Sequence, residues 1–325
     1  MLSRVADSVF WMARYVERAE NVARFIDVNI NLTLDLGEGP ASQWEPLVAT
    51  SGDYQRFVEK YGPATRENVL KFLTFDLDNP NSILSCLAAA RENARTARET
   101  ISSDMWEELN RFYLLARDAV RAGIPEGDYD FYAQVKRASH LLNGTTNATM
   151  SHGESWHFAR LGRLIERADK TSRLVDVKYF ILLPNAGSLG TSLDLAQWSA
   201  MLRSASALEM YRRSRGRIAP TPVVDFLLLD REFPRSLAYC VAGAEQSLRA
   251  ITGTPAGKFG NPAEQELGRL CADLEFTSIG DIIQRGMHEF IDGFQTRLNA
   301  VGDRIYTCFF AAATERPVQR QAFLQ

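Results

Sequence analysis

The residues with the clearest chemical meaning are acids and guanidiniums set on one helical stretch that the chain states twice. Arg14–Val28 (RYVERAENVARFIDV) returns 149 residues later as Arg163–Val177 (RLIERADKTSRLVDV), with seven of fifteen positions identical. The identities are Arg14/Arg163, Glu17/Glu166, Arg18/Arg167, Ala19/Ala168, Arg24/Arg173, Asp27/Asp176 and Val28/Val177, and Glu20/Asp169 keeps its charge. A helix that only packs has no need to repeat its charges. Three uses fit these residue types. A guanidinium fork holds a carboxylate by two bonds, so the segments would close a buried ion-pair seam. Alternatively Arg14, Arg18, Arg24, Arg163, Arg167 and Arg173 would grip a carboxylate or phosphate ligand, with the glutamates orienting the forks. In the third use, Glu17 and Glu166 serve as acid and base, which requires burial to raise a carboxyl pKa.

Three other groups carry chemical potential. Asp76 and Asp230, each four residues before a proline, are candidates for a second polar patch or, more simply, for holding loop N–H groups. His152, Glu154 and His157 (SHGESWH) contain half of a dinuclear carboxylate pattern. A second Glu-x-x-His is missing, the five-residue histidine spacing does not suit a two-His zinc helix, and the first copy has Ser3, Val5 and Ser8 there. No metal is expected. Cys86 and Cys240 sit on apolar helices and read as buried thiols, not nucleophiles. Gly253–Gly260 (GTPAGKFG) lacks the spacing of a phosphate loop, so no cofactor is expected.

The charged lane must be positioned by helices. At helical period Trp11, Met12, Tyr15, Val16, Ala19, Val22, Ala23 and Ile26 share one side, with Arg14, Glu17, Asn21 and Arg24 opposite. Phe10 and Val28 bracket that lane, which predicts partial burial with the charges answered by partners. Ser3 or Asp7 caps a helix running to about Leu36. Val28–Leu36 alternates like a strand, but its counterpart Val177–Leu183 does not, which favours a continuing helix. Gly37, Gly39 and Pro40 stop it, as Pro184 and Gly187 stop the copy.

From Trp44 the offset becomes 154: Trp44/Trp198, Gly62/Gly216, Val69/Val223, Phe72/Phe226, Asp76/Asp230, Pro80/Pro234, Ser82/Ser236, Cys86/Cys240 and Arg95/Arg249 agree. The chain is therefore expected to be an internally duplicated, all-α helical bundle, with repeats at 1–149 and 150–312 and a loose tail at 313–325. The halves would be related by a pseudo-twofold axis and share one core. Pro80 and Pro234 are placed at first helical turns. Further helices are expected at Trp106–Ala122, ended by Gly123 and Pro125, at Asp128–Leu142, closed by Asn143-Gly144, and at Glu264–Phe276 and Gly280–Cys308.

A net charge of −3 over 325 residues removes any global electrostatic case for nucleic acid. The short basic run Tyr211–Arg217 reads as a solvated helix end. No run of apolar residues is long enough to span a membrane, no zinc spacing joins the four cysteines, and the first residues lack a secretion signal's apolar core. A cytoplasmic location is expected.

The paired segments Glu17-Arg18 and Glu166-Arg167 resemble the bacterial Alpha-E family, a helical domain known for a Glu-Arg motif and tandem duplication. MLSRVADSVFWMARYVERAEN, FARLGRLIERADKTSRLVDVKYFILLP, QWSAMLRSASALEMYRR and FLLLDREFPRSLAYC resemble it too, so the likeness covers roughly residues 1 to 312. The resemblance implies an accessory of a peptide synthesis or modification system. Its partners would be a circularly permuted ATP-grasp ligase, a transglutaminase-like protein and Ntn-type peptidases, and a peptide or amino-acid ligand would fit. It assigns no reaction to the helical protein itself. The alternative is an enzyme acting on a peptide or amide through Glu17 and Glu166.

Overall fold

α1 (Ser3–Leu36) contains neither Gly nor Pro and carries four Ala and four Arg, so nothing local interrupts it. It runs through the strand-like alternation after Val28, because Val28 and Ile30 are buried there as helical residues. The computed structural model describes residues 1–36, 44–123, 128–181 and 191–311. Gly37, Gly39, Pro40, Pro125, Pro184, Gly187 and the tail at 313–325 lie outside the described residues.

After α1 come α2 (Glu45–Ser51), α3 (Tyr54–Tyr61), α4 (Arg66–Thr74), α5 (Ile83–Thr96), α6 (Ser103–Arg121), α7 (Tyr129–Thr149) and α8 (Glu154–Ile181). The chain continues with α9 (Ser192–Ser204), α10 (Leu208–Arg215), α11 (Pro220–Leu229), α12 (Leu237–Thr252), α13 (Pro262–Phe276), α14 (Ile279–Arg285) and α15 (Met287–Ile305). A π-helical turn, Tyr306–Phe310, follows. Among the described residues all regular structure is helical, and no helix is long and apolar enough to cross a membrane.

The chain forms two units. One holds Met1–Glu166 and the segment from Phe309, the other Arg167–Cys308, so the division falls within α8 after Glu166. In the first unit α1 packs on α5 and α7, and α6 closes the ring between them. Phe10, Trp11, Ile26, Phe57, Phe72, Leu87, Phe112 and Tyr132 fill its core. Phe310 packs at a tilt against Phe10 and Phe158 with ring centroids 5.5 and 5.7 Å apart. In the second unit α13 lies between α12 and α15, and α11 touches α9, α10, α12 and α14.

Each unit repeats certain local devices. Ser82 caps α5 by accepting from Ser85 N–H, and Ser236 caps α12 by accepting from Tyr239 N–H. The Cys86 thiol donates to Pro80 O at 3.6 Å, and the Cys240 thiol to Pro234 O at 3.5 Å. α3 and α10 both stop at a glycine with positive φ, Gly62 at 69° and Gly216 at 77°.

Three expectations need correcting. Pro80 and Pro234 stand in turns just before the serine caps, not in the first helical turns. α7 does not close at Asn143-Gly144, because a helical Gly costs only about 1 kcal/mol against continued burial of Leu142 and Thr146 on one face. The long helix expected over Gly280–Cys308 is broken at Gly286, whose φ of 100° no helix contains.

A close approach of α8 to α1 in the first unit is permitted by Gly162. A Cβ there would stand 2.4 Å from the Phe10 carbonyl oxygen. That obstacle is backbone and cannot rotate away, so the cost falls near the top of the usual range of about 1–3 kcal/mol. This exceeds the helical gain of about 1 kcal/mol from replacing Gly by Ala. Gly162→Ala is therefore expected to lower the urea midpoint. A midpoint at or above wild type would show that the two helices have room to spare.

Candidate functional site

Every residue of α1 from Val16 to Ile30 is buried. A helix buried on all sides is ordinarily apolar throughout, yet this one carries Glu17, Arg18, Glu20, Asn21, Arg24, Asp27 and Asn29, none more than 7% exposed. Buried charge is costly unless it is paired and hydrogen-bonded.

The centre of the pairing is Glu166 on α8, which is 0% exposed. Arg14 Nε donates to its Oε2 at 2.9 Å, Arg18 Nε to Oε1 at 2.6 Å, and Arg18 Nη2 to Oε2 at 3.0 Å. Two arginines one turn apart thus share one carboxylate. The Arg14 guanidinium also lies over the Trp11 ring at 4.8 Å, and that of Arg18 over the Tyr15 ring at 5.6 Å. Burial pulls the Arg18 pKa down, but the charge and hydrogen bonds of Glu166 outweigh it and hold the pKa above its ordinary value. Tyr15 is pushed up, chiefly by burial, with Arg18 opposing.

From Arg18 the network leaves the helix. Arg18 Nη1 donates to Asn81 Oδ1 at 2.5 Å, and Asn81 Nδ2 donates to Asp53 Oδ2 at 2.7 Å. Asn79 fixes that loop by accepting from Asn81 N–H and donating to Phe72 O, both at 2.9 Å.

The remaining candidates divide. Glu17 is 1% exposed and accepts from Asn21 Nδ2 at 3.2 Å. Arg24 pairs with Glu20 one turn back, and His140 of α7 stands 3.5 Å from Glu20 and 3.4 Å from Arg24. Arg163 Nη1 donates to Asn143 Oδ1 at 2.9 Å. Arg167 is half-buried and reaches Pro234 O at 3.3 Å, and Arg173 Nε grips both oxygens of Asp169 at 3.0 and 3.1 Å. Glu20–Arg24 and Asp169–Arg173 are thus the same i,i+4 pair in the two matched segments. Asp27 and Asp176 also match, the first bound by Lys136 of α7 and the second by His288 of α15.

Asp76 closes its own loop: it accepts from Asp78 N–H at 3.0 Å, from Lys60 Nζ at 2.8 and 2.9 Å, and from Tyr61 OH at 3.0 Å. Burial raises its pKa, but these donors prevail and leave it depressed. Asp230 likewise accepts from Glu232 N–H at 3.0 Å and Phe233 N–H at 2.8 Å. His152 bonds Asn147 O at 3.0 Å and stacks on Trp156, and Glu154 pairs with the Met1 amine at 2.8 Å. Burial depresses the His157 pKa, with Arg160 and His152 adding to the effect. Among the described residues no three His, Cys, Asp or Glu side chains are grouped to hold a metal. Asn81, Asp53, Lys136, His140, Asn143 and His288 were not candidates from the sequence, where nothing distinguishes them from ordinary surface polar residues.

Two predictions follow from these pairings. Glu166→Gln removes the charge that two buried guanidiniums share, and breaking a buried pair costs about 3–5 kcal/mol. A chemical denaturation curve within about 1 kcal/mol of wild type would show that the pair supports nothing. The second concerns pH. The bond to Asp176 raises the His288 pKa. Its contribution is complete below the unfolded pKa of about 6.5 and is lost as pH rises through the higher folded value. His288 is 43% exposed, so solvent screening keeps the effect below about 1 kcal/mol. His288→Asn should flatten the fall in melting temperature above neutrality while leaving the acid side lower than wild type. An identical pH profile in the variant would remove this contact from the account.

Comparison with known proteins gives a consistent picture. The model of a family described as "a predicted alpha-helical domain with a conserved ER motif" matches residues 1–310. An uncharacterized protein of Mycobacterium bovis and two of Mycobacterium tuberculosis are each 25% identical over 278 residues, 77% of this chain. The match spans only 30% of the length of each of these relatives. No solved structure matches.

Proposed function

Because this chain belongs to the Alpha-E family, we propose that it is a helical docking module for a peptide-forming or peptide-modifying partner, and that its Glu-Arg residues fasten helices together. One observation carries this reading: both oxygens of Glu166 are taken by arginines at a position closed to solvent. A general acid or base must reach a proton on its substrate, and an anion grip must offer guanidinium edges to the ligand. Glu166 holds Arg14 through Nε and Arg18 through Nε and Nη2, and Arg18 Nη1 is given to Asn81. The docking role is supported by the relatives, in which the matched stretch is under a third of a longer protein. The resemblance noted in the sequence supplies the partner class: a circularly permuted ATP-grasp ligase or a transglutaminase-like protein, acting in the cytoplasm. The repeated caps, thiol contacts and Asp–cation pairs support an internal duplication of the module.

The test is co-expression with a circularly permuted ATP-grasp ligase and a transglutaminase-like protein, followed by size-exclusion chromatography and mass spectrometry of complexes and small peptides. Co-elution, with no change to any peptide by the isolated chain, is expected. Turnover by the isolated chain that disappears in a folded Glu17→Gln or Glu166→Gln variant would make the protein an enzyme instead.

A further inference from the structure

The short basic run read as a solvated helix end does lie at the exposed end of α10. α10 ends in Arg212, Arg213 and Arg215, and Arg217 follows the terminating Gly216; all four arginines are exposed. Arg215 pairs with Asp225 at 2.9 Å. Among the described residues Arg212, Arg213 and Arg217 have no carboxylate within salt-bridge distance, and Glu209, at the start of the same helix, pairs with none of them.

The cluster is held in place from beneath. Tyr211 is 0% exposed and meets the Phe226 ring edge-on at 5.6 Å. Its hydroxyl donates to Arg217 O at 2.9 Å, which ties the segment beyond the turn back onto the helix. Gly216, at φ 77°, makes the turn that this tie requires.

The matched helix α3 shows that the scaffold has no need of the arginines. There Phe57 occupies the place of Tyr211, is equally buried, and meets Phe72 edge-on at 5.2 Å. Gly62 makes the same turn at φ 69°. Yet the positions of Arg212, Arg213, Arg215 and Arg217 are filled by Val58, Glu59, Tyr61 and Pro63. Cap, turn and aromatic anchor therefore form without arginine at any of these four positions. Clustered like charges repel, and at a surface they serve association more than folding.

We propose that the end of α10 is a docking surface for an acidic, carboxylate-rich segment of a partner protein. This deepens the docking reading and rests on it, by giving the module a contact face and a partner chemistry. Planar forks suit carboxylates held two bonds at a time. A nucleic-acid strand fits less well: the patch spans two helical turns and interleaves no exposed aromatic ring for base stacking.

The experiment uses the full chain and fluorescein-labelled hexaglutamate, read by fluorescence anisotropy, beside a single-stranded DNA oligonucleotide and phosphatidylserine vesicles. Hexaglutamate should bind, weaken as sodium chloride rises from about 50 to about 300 mM, and weaken roughly tenfold or more in the Arg212→Glu, Arg213→Glu, Arg217→Glu variant. The three sites are exposed and unpaired, so the variant should keep the wild-type circular-dichroism melt; should it not, Arg217→Glu alone is measured the same way. The proposal falls if hexaglutamate does not bind or if the reversals leave its binding unchanged. It falls equally if DNA or vesicles use these arginines in its place. Co-elution of the ligase undiminished by the triple variant would overturn this surface and leave the docking reading standing.

Discussion

One carboxylate, fully withdrawn from water, answers two arginines of α1. The fold depends on that arrangement because the central helix is polar where a packed helix is ordinarily greasy. Each guanidinium loses hydration on entering the interior, and only a partner with matched geometry offsets the loss. Glu166 supplies it for Arg14 and Arg18. Asn81 extends the arrangement into the loop before α5, so the rotation of α1 about its axis is set by hydrogen bonds as well as by Phe10, Trp11 and Ile26. Apolar contacts alone tolerate small slips of register. A bidentate grip does not.

Much of this was legible in the residues. The alternation after Val28 competed with a helical interpretation, and comparison with the second copy decided it for the helix. The apolar brackets around the charged lane indicated shelter, and Arg14, Glu17, Asn21 and Arg24 are sheltered. The partners were not legible. Asn81 lies 63 residues from Arg18, and Lys136 lies 109 from Asp27, each an ordinary polar side chain whose meaning comes only from the fold. Glycine was the other source of error. Gly144 was given too much power to stop a helix and Gly286 too little, because local propensity is weaker than burial but a positive φ is absolute for helical backbone.

Comparing the matched segments also separates what the scaffold requires from what it carries. Caps, thiol contacts and the i,i+4 acid–arginine pair recur. The partners of the arginines differ: Arg18 meets the half-buried Asn81, whereas Arg167, in the matching place, reaches the backbone carbonyl of the exposed Pro234. Sequence identity at a position therefore did not carry identity of environment.

The ring of Phe310 against Phe10 and Phe158 has a consequence for how the molecule is made. The first unit is discontinuous: its core needs a side chain that leaves the ribosome about 300 residues after Phe10 does. Until then the faces of Phe10 and Phe158 that it covers lack their lid. The amino-terminal unit, although begun first in synthesis, cannot make this contact until all of Arg167–Cys308 has been added to the chain.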